Sequence, residues 1–297
     1  MSTGTATVSG SRARSRTPIV VKFGGELLEQ PAHLRTVTEA IASATRSIVV
    51  VHGGGREIDA ALSAAGIEKR QVDGLRITDA ATLEIVISVL AGSVNSKLVA
   101  ALGAAGVRAV GLTGLDGCCG LCERAPAHRT VDGRLVDLGY VGVPSERADV
   151  SLVRMLAGND FVPVLACIGV DASGQRLNVN ADTLAGHIAA KLPARRLVIA
   201  GATSGVLDEE GATISMLEAD AIDAIIASRT ATAGMIAKLH ACERALASGV
   251  EEVVIVDGRN GVSLLAALEG DRPASATRLV AAESTVAQRF TAAGGKR

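Results

Sequence analysis

Pro18–Gly25 reads PIVVKFGG and Ile48–Gly55 reads IVVVHGGG. Each is a β-branched run, apolar on both faces and too short for a helix, that passes directly into glycines. A strand of that kind is buried on both sides, and a strand ending in glycines reads as the turn into a following helix. The same pattern predicts strands over Pro18–Phe23, Ser47–Val51, Val107–Leu112, Phe161–Ile168, Arg196–Ala200 and Glu252–Val256. Between them lie Ala-rich stretches with helical spacing, about Ala32–Thr45, Arg56–Ala65, Ala80–Ala105, Val150–Ala157, Ala181–Lys191 and Gly234–Ala247. Strands alternating with helices imply an α/β fold: a three-layer αβα sandwich around an open, mostly parallel sheet. Asp116–Tyr140 and Asp171–Val179 break the alternation. Their turn signals, Asp132-Gly133 and Ser173-Gly174, read as hairpins appended to that sheet.

The 297 residues include no Trp, one Tyr and three Phe, yet 48% are apolar, so the core is aliphatic. Lys plus Arg number 30 against 31 acidic residues, which excludes the basic excess and stacking platforms of a nucleic-acid binder. No apolar run is read as approaching the ~20 residues of a membrane span, and the N-terminus lacks a secretory core, so the expectation is a soluble, cytoplasmic protein. Five cysteines, an odd number for a disulfide framework, fit a reducing compartment. Cys119 and Cys122 with His128 offer three soft ligands but no fourth, so no metal site is assigned there. Residues 1–17 read as a disordered Ser/Thr/Arg tail. A soft boundary divides an N-terminal lobe, 18–172, from a C-terminal lobe, 173–297.

Neither G-x-x-x-x-G-K-[ST] nor G-x-G-x-x-G occurs. The glycine pairs after Lys22 and His52 nevertheless stand where strands feed helices, where bare backbone N–H groups approach an anion. Lys22 sits inside an apolar strand, its stem packed and its ammonium aimed at the loops. Lys238 lies one turn inside a helix that begins with Gly234. Asn178-Val179-Asn180-Ala181-Asp182 puts three short polar side chains at a strand-to-helix junction, and capping needs only one of Asn180 and Asp182.

KFGGE at Lys22, VVVHGGG at Val49, DGLRITD at Asp73, LAGSVNSKL at Leu90, NVNAD at Asn178, SGVLD at Ser204 and GMIAK at Gly234 occur in this order. The ordered set resembles the acetylglutamate kinases of the amino acid kinase family, over about residues 18–260. The resemblance implies transfer of the γ-phosphoryl of ATP, with Mg²⁺ bound through the nucleotide, to the side-chain carboxylate of N-acetylglutamate, a step of arginine biosynthesis. It also implies the roles. Lys22 and Lys238 neutralise the transferring phosphoryl and the leaving nucleotide, and Asp182 holds both ammonium groups. Gly54, Gly55, Arg76 and Asn178 bind the amino acid, with Arg76 as a carboxylate clamp. Gly24 and Gly25 donate to phosphoryl oxygens, and Ser204, Gly205, Leu207 and Thr232 contact the nucleotide. The N-terminal lobe would bind the amino acid and dimerise, and the C-terminal lobe would bind nucleotide.

Some positions depart from the family pattern. Ala202 stands where an acid usually lines the nucleotide site, and Cys118-Cys119-Gly120-Leu121-Cys122 replaces a Gly-rich segment. The short N-terminal tail and the altered C-terminal run imply a homodimer without strong arginine inhibition. Two further readings stay open: a kinase for a related acylated acidic amino acid such as N-acetyl-aminoadipate, and a non-catalytic ligand-binding relative.

Overall fold

The computed structural model describes residues 15–130, 132–227, 233–273 and 275–282. The expected tail therefore lies outside the described residues as far as position 14, and the first strand already begins at Ser15. Along the chain run β1 (Ser15–Phe23), α1 (Glu26–Glu29), α2 (Pro31–Ser43), β2 (Arg46–His52) and α3 (Gly55–Ala64). Then come a ribbon of β3 (Gln71–Val72) and β4 (Leu75–Arg76), α4 (Ala80–Ile87), α5 (Asn95–Ala104), β5 (Ala109–Thr113), β6 (Cys122–Arg124) and a second ribbon of β7 (His128–Arg129) and β8 (Leu135–Val136). They are followed by β9 (Val141–Pro144), α6 (Ser151–Gly158), β10 (Val162–Ala166), β11 (Ile168–Val170), β12 (Arg176–Val179) and α7 (Ala181–Lys191). The last elements are β13 (Arg196–Gly201), β14 (Met216–Glu218), α8 (Ile222–Ala227), α9 (Ala233–Ala247), β15 (Glu252–Asp257), α10 (Gly261–Glu269) and β16 (Ala276–Val280).

Eight strands form the main sheet, in the order β14-β16-β15-β13-β1-β2-β10-β5. All neighbours are parallel except β15 and β16. The six expected strands are contiguous in it, from β15 to the edge strand β5, and β1 joins the two halves of the sequence by pairing with both β2 and β13. Every residue of β10 and β13 is buried, which is what their two-faced apolar pattern requires. Helices cover both faces, with α2 against α1, α5 and α10, and α7 against α9. Strand β16 was not foreseen, because Arg278 interrupts its short apolar run.

Two expectations need correction. The hairpins do not extend the main sheet: β11, β12, β9 and β6 form a separate four-stranded sheet, and β7 and β8 pair only with each other. Tight turns fixed each hairpin, but which sheet it joins is set by long-range pairing such as β12 with β9. In addition, Ala80–Ala104 is one helical stretch of 25 residues, long and apolar enough by length and composition to cross a membrane. Here it packs Leu83, Val86, Leu90, Val94, Leu98 and Leu102 inward, and a π-helical segment, Ser88–Val94, interrupts it midway.

A buried cation anchors the C-terminal half. Arg196, only 2% exposed, donates through Nε to Glu252 at 2.7 Å. Its other nitrogens reach the carbonyls of Ala267, Gly270 and Asp271 at 2.7–2.9 Å, where α10 ends in a left-handed Gly270. The guanidinium thus satisfies carbonyls a helix end would leave unpaired, and complements the negative end of its dipole. Burial works to raise the Glu252 carboxyl, but hydrogen bonds from Arg278 and Arg196 outweigh it and hold the group below its ordinary range.

Arg196→Ala should cost about 3–5 kcal/mol in unfolding free energy, since it removes one of the two cations of a buried carboxylate and leaves three carbonyls unpaired. Arg278→Ala, at the more exposed end of the same carboxylate, should cost clearly less. Guanidinium denaturation of the two variants against the wild type measures both.

Candidate active site

At their carboxyl ends β1 and β2 stay in register, with Phe23 opposite His52, and both chains then turn into glycines. The amide of Gly53 donates to Phe23 O at 3.1 Å, so the two loops leave the sheet together. They touch: a Cβ on Gly25 would lie 2.9 Å from the Gly54 Cα, which leaves no room for a side chain. Gly54 is the N-cap of α3 and Gly55 its first residue, so their amides belong to a helix start whose N–H groups lack intrahelical acceptors. The donor role expected of Gly24 is corrected. Its amide is committed to Ala200 O at 3.1 Å, continuing the sheet ladder, and its missing side chain makes room for the Glu26 carboxylate instead.

His52 fixes the second loop. Asn95 Nδ2 donates to His52 Nε2 at 3.0 Å and to Val164 O at 2.9 Å, so the ring proton sits on Nδ1 and is donated to Gly53 O at 3.0 Å. Both ring nitrogens are used only by the neutral imidazole. Burial lowers the ring to about 4.

Below the first loop, Lys22 Nζ meets Asp182 Oδ1 at 2.9 Å, and both side chains are 12% exposed. Asn180 caps α7 by accepting from Thr183 N at 3.0 Å, which frees Asp182, on the first turn, to face β1. Burial works against the Lys22 ammonium, but the charge and hydrogen bond of Asp182 outweigh it and raise the pKa. Lys238, on α9, is lowered by burial and then by repulsion from Lys22. Its Nζ lies 3.5 Å from where a Gly201 side chain would begin, at the end of β13. Asp182 makes an ion pair with Lys22 and none with Lys238, so the expectation that it holds both ammonium groups is corrected. Their positions on β1 and α9 put the second lysine out of contact range, and it feels the carboxylate through space.

The loops open onto a cleft of about 630 Å³ that runs from Glu26 past Gly54 to Arg76 and Asn178. Arg76 is held from behind. Its Nη2 pairs with Asp59 and donates to Gly55 O at 3.3 Å, while Nη1 is buried without a hydrogen-bond partner. Asp59 also binds Lys69 at 2.7 Å; burial would raise its carboxyl, but hydrogen bonds from Lys69 and Arg76 bring it below the ordinary range. Asn178 Nδ2 donates to Thr78 Oγ1 at 3.1 Å, which turns its side chain along the cleft wall.

The residues expected to contact the nucleotide follow the end of β13. Ser204 shares a hydrogen bond with Thr213 at 3.1 Å, Gly205 passes against Thr277, and Leu207 is exposed. Arg259, held by Asp257, donates to Ala202 O at 2.9 Å and fixes this loop. Thr232 falls outside the described residues. Phe23 is buried in the core, while Arg108 stacks on Phe161 and Arg124 on Tyr140, so none of these rings is offered to a base. The thiols of Cys119, Cys122, Cys167 and Cys242 are buried, and burial pushes each up to about 12.

The sequence reading assigned no role to two carboxylates. Glu26 lines the cleft, and Glu57 is wedged between the loops, 3.1 Å from where a Gly25 side chain would start, with its carboxyl raised by burial. The only signal was their place beside the glycines, as the last letter of KFGGE and two residues after GGG.

The pairing of two glycine loops at adjacent parallel strand ends with converging lysines has counterparts among known proteins. Residues 17–257 match the sequence profile of the amino acid kinase family. The chain belongs to that family. Proteins named acetylglutamate kinase are similar to it throughout. One from Rhodopseudomonas palustris is 43% identical over 250 residues, covering 81% of this chain and 83% of its own. One from Sphingopyxis alaskensis is 41% identical over 247 residues, covering 81% and 82%. Among solved structures, N-acetylglutamate synthase from Neisseria gonorrhoeae, in complex with coenzyme A and N-acetyl-glutamate, superposes with a TM-score of 0.75 at 25% identity. That match covers 90% of this chain and 60% of the synthase. Carbamate kinase from Giardia lamblia bound to AMP-PNP, at TM-score 0.62 and 14% identity over 90% of this chain and 99% of that one, shares the fold. As a member of this family the chain is a phosphotransferase.

Because only the unfolded chain accepts a proton at residue 52 between pH 6.5 and about 4, stability should fall as pH drops through that window. The loss attributable to His52 is on the order of 3 kcal/mol, at 1.36 kcal/mol per pKa unit. Denaturant titrations from pH 7 to 4.5 should show a shallower decline for His52→Asn than for the wild type.

Proposed function

We propose that this protein transfers the γ-phosphoryl group of ATP to the side-chain carboxylate of N-acetyl-L-glutamate, giving N-acetylglutamyl 5-phosphate and ADP. The observation that carries the reading is the polarity of the cleft. At one end Glu26 lines the cleft with Lys22 and Lys238 beneath and beside it, and at the other Arg76 has a buried guanidinium nitrogen with no protein partner among the described residues. A ligand carrying a carboxylate at each end, with a phosphoryl donor beside the second, complements that arrangement.

Each step falls to a residue already in position. Arg76, braced by Asp59, takes the α-carboxylate through its unpaired Nη1, and Asn178 lies beside the acylated amino group. The amides of Gly54 and Gly55 receive the side-chain carboxylate, whose oxygen attacks the γ-phosphorus as the bond to the bridging oxygen of ADP breaks. Lys22 stabilises charge on the transferring group and Lys238 charge on the leaving nucleotide. No general base is needed, because the attacking carboxylate is already ionised. Gly25, Ser204, Gly205, Leu207 and Thr232 are assigned to the nucleotide, with adenine resting on aliphatic side chains and backbone.

Mg²⁺ bound to ATP would shield the phosphate charge during transfer. Among the described residues no three metal-ligating side chains cluster; in this reading the phosphates and water supply most of its ligands, with which a carboxylate at the phosphoryl end is compatible. We further assign amino-acid binding and dimerisation to residues 18–172, nucleotide binding to 173–297, and the protein to the cytoplasm as a homodimer. In support, all five cysteines are free, and the most apolar window of Ala80–Ala104 is only 39% buried within one chain.

Incubation with MgATP, N-acetylglutamate and hydroxylamine should give the acyl hydroxamate, with N-acetyl-aminoadipate run in parallel. Absence of product from both substrates would overturn the reading, and product from aminoadipate alone would reassign the substrate. Lys238→Ala should lower kcat by about 10²–10³-fold with little change in KM for the amino acid, as for loss of a group that acts on the transition state. Arg76→Lys should chiefly raise KM, because the charge remains while the planar fork is lost.

A further inference from the structure

Glu26 is a carboxylate of the phosphoryl end that lines the cleft and that the mechanism leaves unused. It follows the glycine pair, and its side chain folds back so that both oxygens lie over Gly24, where any Cβ would collide with them. Oε1 is 3.1 Å from the point where a Gly201 side chain would begin, and Lys238 Nζ is 3.5 Å from the same point. The carboxylate thus shares the space above the end of β13 with one of the two lysines. It acts on both ammonium groups through space. Among the described residues no ion pair within 4 Å and no side-chain hydrogen bond ties it down. Asp182, by contrast, is taken up by Lys22.

The charges make this placement costly on their own. Lys22 and Lys238 contribute two positive charges, Asp182 and Glu26 two negative ones, so among these four groups Glu26 offsets positive charge that would otherwise receive a polyphosphate. An unpaired carboxylate facing phosphate oxygens at a few ångströms repels them. A divalent cation between the two converts that repulsion into attraction. Mg²⁺ is held in just this way in many phosphoryl-transfer sites, by one or two carboxylates together with substrate phosphates. Glu26 meets the requirement in being half-buried, without an ion pair or side-chain hydrogen bond among the described residues, and open to the cleft.

We propose that Glu26 is a ligand, direct or through one water, of the divalent cation carried by the nucleotide, so that this cradle selects the metal complex over free ATP. The inference rests on the kinase reading of the cleft and adds the protein group that recognises the metal. A carboxylate that merely stood in for the absent phosphate would instead obstruct nucleotide with and without metal alike.

Binding of AMP-PNP, followed by calorimetry in MgCl₂ and again in EDTA, separates the cases for the wild type and Glu26→Gln. The variant keeps the side-chain volume and breaks no hydrogen bond, so the fold should persist. The wild type should gain from Mg²⁺ about tenfold more affinity than the variant does, the scale of one charge-assisted contact. In EDTA the variant should bind the bare nucleotide more tightly than the wild type. With Mn²⁺ in place of Mg²⁺, the electron paramagnetic resonance spectrum of the bound Mn²⁺–AMP-PNP complex should change on Glu26→Gln. An equal gain from metal in both proteins would overturn the proposal while leaving the kinase reading intact, as would equal tightening by the variant in both buffers. Failure of the wild type to bind AMP-PNP in either buffer would overturn both.

Discussion

A lysine in the central strand of a parallel sheet needs a fixed counter-charge, and in this fold only α7 can supply one. β1 lies between β2 and β13, so Lys22 has backbone on either side and helices above and below. The Asn180 cap sets the start of α7, which places Asp182 against the Lys22 ammonium at 2.9 Å. Removing either partner would leave a charge largely out of water, which costs several kcal/mol. Much of the site follows from that pair. It lies directly before the end of β1, where the Gly24-Gly25 loop meets the Gly53–Gly55 loop.

The two ends of the cleft are prepared differently. At the Arg76 end, which we assign to the amino acid, charge is locked by the protein: Asp59 holds Lys69 and Arg76, and one guanidinium nitrogen is left over among the described residues. At the phosphoryl end, charge is poised. Lys238 is disfavoured as a cation by burial and by Lys22, and among the described residues Glu26 makes no ion pair, so both would gain from a bound polyanion and its metal. Binding energy can thereby be concentrated on the group that reacts. His52, neutral and hydrogen-bonded through both nitrogens, keeps the loop between the two ends from moving.

Much of this was legible in the chain. The runs PIVVKF, IVVVH, RLVIA and EVVIV became adjacent strands of one sheet because apolar residues on both faces can be satisfied only in its interior. The motif order located Lys22, Arg76, Asn178, Asp182 and Lys238, and four of these line the cleft or pair directly beneath it. What stayed hidden had no local signature. Glu26 and Glu57 drew no reading, Gly24 looked like an anion donor, and the hairpins like extensions of the main sheet.

Residue order and type by themselves determined the α/β alternation, the aliphatic core, the family and the set of lysines, glycines and the arginine that form the site. These depend on periodicity and on local turn chemistry, which the chain carries with it. Tertiary structure alone decided which charges pair and which remain free. Lys22 takes Asp182 while Lys238 does not, the amide of Gly24 goes to Ala200, and Glu26 is left facing the cleft. Pairing depends on distances of a few ångströms between residues as far apart in the chain as Lys22 and Asp182, and such distances exist only once the sheet has closed around β1.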